Sequence, residues 1–156
     1  MQIFVISPTP EDTIKILDDT RVRKMSIEQA QLICSRLPGS PYKPYNPNCG
    51  LAKWVHESQE NYNWSVQYLY HLILENHHRF GKSVGRTEEV FDFAVNFMND
   101  ESKSPEKFYN ESYFKESACI FSAYRDTLVA KWKETKTKLK WTNRSIPEFA
   151  KDIIGE

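Results

Sequence analysis

From Leu17 to Leu37 the chain reads LDDTRVRKMSIEQAQLICSRL, and its apolar residues recur at the three- and four-residue spacings of an α-helix. The polar residues keep the same period. Lys24, Glu28, Gln31 and Ser35 stack in one line with Arg21 at its head, bordered by Met25 and Leu32 on one side and by Ile27 and Cys34 on the other. Asp19 or Thr20 caps this helix and Pro38-Gly39 stops it. A polar seam with one carboxylate at its middle is either a solvated face or one wall of a cleft. Lysine placed four residues before glutamate is the weaker order for a helical ion pair, so helix stabilisation explains the pair poorly. In the cleft reading, Glu28 is a general acid/base or electrostatic stabiliser, and Arg21 and Lys24 attract an anionic substrate.

The same periodicity orders the rest of the chain. MQIFVIS (1–7) is short, apolar and β-branched, which predicts a buried strand or extended segment. Thr9 before Pro10, Glu11 and Asp12 predicts a capped short helix over 10–17. PGSPYKPYNPNCG (38–50), with four prolines, reads as an ordered loop. Helical spacing returns over 51–80, with a break near 58–61 and a stop at Gly81. A further helix runs from Thr87 through Met98, residues 99–113 read as loop, a long helix covers 114–136, and a short one follows Pro147. No internal repeat is visible. The prediction is a single, mostly α domain with a short N-terminal extended segment or strand.

Composition narrows the choices of partner. With 156 residues, 40% apolar and 27% charged, the chain is long enough to bury a core and too apolar for disorder. Lysine plus arginine balances aspartate plus glutamate at 21 each, which excludes a general cationic footprint, so any nucleic-acid surface must be local. Three cysteines without metal-type spacing fit reduced thiols. No signal peptide and no long apolar run is present, which predicts a soluble, cytoplasmic protein, taken as monomeric, with no membrane contact.

Two further stretches carry charge patterns. KWKETKTKLKWTNR (131–144) sets five lysines and one arginine against a single glutamate, with Trp132 and Trp141 interleaved. Lys136, Lys138 and Lys140 could neutralise phosphates while the indoles stack on bases. Equally, the lysines could be a solvated helix end and the tryptophans core. In HLILENHHRFGK (71–82), His71, Glu75 and His78 share a helical face, but a Glu75–Arg79 ion pair in the favourable order is the better reading than a metal site. No metal and no cofactor is expected. Walker A, GxGxxG and GxSxG patterns are absent.

The order MQIFVIS, LDDTRVRKMSIEQAQLI, PYKPYNPNCGLAKW, NYNW, ENHHRFGK resembles a group of small tailed-phage proteins and, more distantly over the first half of the chain, the pyrimidine-dimer DNA glycosylases of the phage endonuclease V family. That resemblance implies a compact all-α fold acting on damaged double-stranded DNA. It implies an N-terminal α-amine as nucleophile and a helix-borne glutamate nine residues after an aspartate, the spacing of Asp19 and Glu28. Gln2 is too large for initiator removal, so the amine is that of Met1. Ile27 and Gln31 stand where the family has arginines, which leaves Arg21, Arg23 and Lys24, with Gln31, as the groups that grip DNA. An α-amine, with a reference pKa of about 7.7–8.0, is far more often neutral than a lysine and can form an imine at C1′ of a damaged nucleotide. Glu28 then assists ring opening and strand cleavage. The competing expectations are an enzyme acting on a free or modified nucleotide and a non-catalytic module that binds DNA or a host protein.

Overall fold

The structure, a computed structural model, describes residues 2–100 and 103–154. The described residues form seven α-helices and one 3₁₀ turn: α1 (Pro10–Ile16), α2 (Asp19–Cys34), α3 (Gly50–Val55), α4 (Gln59–Phe80), α5 (Thr87–Ala94), the 3₁₀ turn Val95–Phe97, α6 (Ile120–Glu134) and α7 (Glu148–Ile154). The fold is mostly α, and no strand occurs among the described residues. No helix is long and apolar enough to cross a membrane among those residues.

α4 is the organising element. Ser58 caps it by accepting the Asn61 N–H, and Gly81 ends it at φ 77°, a left-handed conformation that glycine adopts without a Cβ penalty. Tyr62, Val66, Leu69 and Ile73 are buried at spacings of four, three and four residues. α1, α2, α3 and α5 all pack against α4. α2 is buried on more than one face because α3, α4 and α5 flank it. Its contact with α4 includes paired polar groups. Gln29 Nε2 donates to the Ser65 carbonyl at 2.8 Å, and Asn76 Nδ2 donates to Ser26 Oγ at 2.8 Å. Both amide nitrogens are thereby paired, while Asn76 Oδ1 stays buried without a partner among the described residues.

The N-terminal segment departs from a strand. Ile3, Phe4 and Val5 are buried, yet no strand pairing forms among the described residues. Aromatic side chains of α4 take up the backbone acceptors instead: Tyr68 donates its hydroxyl to the Phe4 carbonyl at 2.9 Å, and Trp64 Nε1 donates to the Pro8 carbonyl at 3.0 Å. Other boundaries shift as well. Thr9 makes no side-chain cap, and its neighbour Thr13 accepts the Ile6 and Ser7 N–H groups. α2 is capped by Asp18 and ends at Cys34 rather than Leu37. The long C-terminal helix starts at Ile120 rather than 114.

Asp19, expected as a cap, belongs to a buried ionic network. It accepts from Arg79 at 3.0 Å and from the Thr142 backbone N–H at 2.9 Å, and the Thr142 hydroxyl bonds it too. Arg79, whose side chain is fully buried, also pairs with Glu75 at 2.6 Å, and Arg144 closes the network on Glu75 at 2.9 Å. Burial opposes the Glu75 charge, but hydrogen bonds from Arg144 and Arg79 outweigh it and hold the carboxyl below its ordinary value of 4.5. Arg79→Ala is expected to cost about 3–5 kcal/mol, the usual loss when one member of a buried pair is removed, read from urea denaturation. A lowered folded-state value means that the Glu75 contribution is complete above the unfolded value and is lost as pH falls through the folded one. Urea midpoints should therefore hold steady above 4.5 and decline below it, with a shallower acid-side decline in Glu75→Gln.

Candidate active site

Arg21, Lys24 and Glu28 open onto one cleft of about 520 Å³. Successive turns of α2 place them on one side of the helix, with Thr20 and Met25 beside them. The N-terminal segment contributes Gln2 and Phe4, the segment before α6 contributes Glu111, and the end of α6 contributes Lys131 and Thr135. The wall opposite the seam thus comes from residues that are remote in sequence.

Two of the three cations in the cleft, Arg21 and Lys131, are oriented by neighbours. Arg21 is held at 3.0 Å by Asp18 and reaches Thr135 Oγ1 at 3.4 Å. The Lys131 ammonium lies 5.0 Å from the Tyr113 ring centroid, a cation–π distance. Glu111 is engaged by Lys115 at 2.8 Å. Glu28 differs. Its side chain is only 17% exposed, its ionic partner is the 67% exposed Lys24 at 3.9 Å, and it makes no hydrogen bond among the described residues. A partly shielded carboxylate without a hydrogen bond, sharing a cleft with Arg21 and Lys24 of its own helix and Lys131 of α6, is chemically available to a substrate proton.

The remaining sequence-predicted residues lie elsewhere. Arg23 turns away from the cleft and its guanidinium stacks 3.8 Å from the Phe80 ring centroid. Gln31 is half-buried farther along α2 and does not line the cleft, and Ser35 turns its hydroxyl back to the Leu32 carbonyl. Met1 lies outside the described residues. Lys136, Lys138 and Lys140 are exposed on the segment that leaves the cleft after Thr135. The two tryptophans among them are not available to bases. Trp132 is 1% and Trp141 6% exposed, their rings meet edge-on at 5.3 Å, and their N–H groups donate to Asp18 and to the Ile16 carbonyl. Core packing, not stacking on nucleic acid, accounts for both.

Sequence reasoning missed Glu111, Lys131 and Thr135 as cleft residues. Lys131 carried a signal, since it begins the basic stretch, but Glu111 sits in a polar loop with no pattern. Two tempting clusters elsewhere lack the geometry for chemistry. His71, Glu75 and His78 border a small recess, but Glu75 is committed to two arginines and His78 Nε2 meets the Asn143 carbonyl at 3.0 Å. No group of three or more His, Cys, Asp or Glu placed to hold a metal ion occurs among the described residues. Ser83, His77 and Glu88 have the composition of a triad, but Ser83 and Glu88 both approach the same imidazole nitrogen, Nε2, so no proton relay runs through the ring.

Comparison with protein-family models, curated proteins and solved structures finds no match to this chain. The cleft is therefore read from its own chemistry. A carboxylate kept for function should contribute little to folding. Glu28→Gln is expected to leave urea stability within about 0.5 kcal/mol of wild type, as for other loosely paired, partly exposed residues. A larger loss would make Glu28 a structural group.

Proposed function

We propose that the cleft is the active site of a DNA-repair N-glycosylase with abasic-site lyase activity. The observation that carries this reading is the uncommitted Glu28 carboxylate, shielded from solvent and surrounded by Arg21, Lys24 and Lys131. The cations suit a phosphate-bearing substrate, and the volume of about 520 Å³ suits a nucleotide turned out of a strand. The resemblance of the motif order to that of the pyrimidine-dimer glycosylases is what suggests the reaction class. Exposed Lys136, Lys138 and Lys140, next in sequence to Thr135 at the cleft wall, extend the cationic surface along a bound duplex.

The residues divide the work as follows. Arg21 and Lys131 hold the phosphates that flank the reacting sugar. An amine attacks C1′, the glycosidic bond breaks, and the resulting imine makes the C2′ proton acidic. Glu28 takes the proton that the attacking amine sheds and passes it to the sugar ring oxygen as the ring opens, while the departing base is protonated from water. As carboxylate again, it accepts the C2′ proton as the bond from C3′ to the 3′ phosphate breaks. The Met1 α-amine is the nucleophile that the resemblance implies, and Gln2 and Phe4 bring the N-terminal segment to the cleft. Lys24, 3.9 Å from Glu28, is the alternative amine.

The test uses duplexes that carry an abasic site or ultraviolet lesions. Wild type is expected to cleave the damaged strand and to be trapped on it by borohydride. Glu28→Gln should reduce cleavage by about 10²- to 10⁴-fold, the usual contribution of a general acid/base, with binding preserved. Trapping that disappears on N-terminal acetylation assigns Met1, whereas trapping that survives acetylation but not Lys24→Ala assigns Lys24. Absence of any cleavage by wild type would overturn the reading, and activity on free nucleotides alone would replace it with a nucleotide enzyme. Changing Lys136, Lys138 and Lys140 to alanine is expected to flatten the salt dependence of duplex binding by roughly one unit of log–log slope per lost phosphate contact.

A further inference from the structure

The cleft makes no use of the PYKPYNPNCGLAKW motif. The end of that motif, from Gly50 to Trp54, forms one side of a second recess of about 490 Å³. Its other side is the stretch from Lys107 to Asn110. Glu111, the next residue, lines the cleft. Consecutive residues, Asn110 and Glu111, therefore line the two recesses, and the stretch that carries them is a partition they have in common, its adjacent Cα atoms about 3.8 Å apart.

That partition has no regular secondary structure, yet its backbone is pinned from three directions. Trp54 Nε1 donates to the Lys107 carbonyl at 2.7 Å on the recess side, and Gln2 Nε2 donates to the Glu111 carbonyl at 2.9 Å on the cleft side. The buried Tyr124 hydroxyl donates to the Tyr109 carbonyl at 2.8 Å and accepts the Glu111 N–H at 2.9 Å. Gly50 completes the construction. A Cβ there would stand 2.0 Å from the Tyr109 hydroxyl oxygen, so only glycine lets the Tyr109 ring lie against the start of α3.

The lining combines Trp54, Phe108 and a 36% exposed Tyr109 with two lysines, Lys53 and Lys107. Both lysines are exposed and free of ion pairs among the described residues, against a single opposing carboxylate, Glu57. Aromatic faces beside unpaired lysines are the means by which proteins hold unpaired nucleotides, the rings stacking on a base and the cations meeting phosphate. We propose that this recess is a subsite for the base of the nucleotide next to the one in the cleft, stacked on Tyr109, with Lys53 and Lys107 on its phosphates. The assignment rests on the cleft as the reaction site and adds how the strand is held in register there.

The probe is a single-stranded oligonucleotide with a tetrahydrofuran abasic analogue and 2-aminopurine on its 5′ or its 3′ side. At saturation, 2-aminopurine fluorescence should be quenched on one side only. Tyr109→Ala should abolish the quench and weaken binding by at least about fivefold, the low end for one lost stacked base. Tyr109→Phe should retain the quench, which separates ring stacking from a folding defect. Glu28→Gln should retain it too, since that change removes the chemistry and leaves the strand in place. Binding by anisotropy without a quench on either side, or a quench that survives Tyr109→Ala, would overturn the subsite and leave the cleft reading standing. Equal affinity for the free 2-aminopurine nucleotide would overturn the assignment to a strand. No binding of the single strand would overturn the subsite, and no binding of the abasic duplex either would overturn both readings.

Discussion

Asp18 and Asp19, consecutive at the start of α2, send their carboxylates to different parts of the chain, and the geometry of the cleft depends on both. Asp18 caps α2, holds Arg21 at 3.0 Å and accepts the Trp132 N–H at 2.8 Å. Asp19 accepts from Arg79 of α4 and from Thr142, while its own N–H donates to the Lys140 carbonyl at 2.8 Å. One helix end therefore ties together α4, α6 and the segment that follows α6. Buried charges of this kind cost desolvation and are tolerated only when their hydrogen-bonding positions are filled, as they are here. The functional consequence is position. Trp132 and Thr135 are brought against α2, and with them Lys131 comes to the cleft.

The carboxylates of the interior form a contrast that separates structure from function. Asp18, Asp19 and Glu75 have their oxygens occupied by arginine, tryptophan, threonine or backbone donors. Glu28, at 17% exposed, is less buried than these three and has no such donor among the described residues. Leaving acceptor positions of a shielded carboxylate unfilled gives no folding advantage. A substrate that supplies the missing proton or donor makes sense of the arrangement.

Periodicity alone located most of the helices, because α2 and α4 bury stripes at spacings that only a helix produces, and Gly81 and the Glu75–Arg79 pair followed from local rules. What was not legible depended on partners distant in sequence. Asp19 or Thr20 was the expected cap, but Asp18 takes that position, and Trp132, Arg79 and Thr142 settle the roles of the two aspartates. The apolar N-terminal segment read as a strand or an extended segment because its pattern records burial, not the partner that takes its hydrogen bonds, and Tyr68 and Trp64 accept that role by donating to its carbonyls. Trp132 and Trp141 sit in a basic stretch whose composition suits a base-stacking surface and a helix end equally, and only the fold shows both indoles inside. The seam from Arg21 to Glu28 was visible because it lies on one helix. Glu111 and Lys131, from other segments, were not.

Mapping the bound strand by amide chemical shifts tests the central claim most directly. Titration with a duplex that contains a tetrahydrofuran abasic analogue, which binds without being cleaved, is expected to shift the amides of Arg21, Lys24, Glu28, Glu111 and Lys131 most strongly. Shifts confined to the outward face of α4 and α5, around Tyr70 and Leu74, with the cleft residues unmoved, would contradict the account.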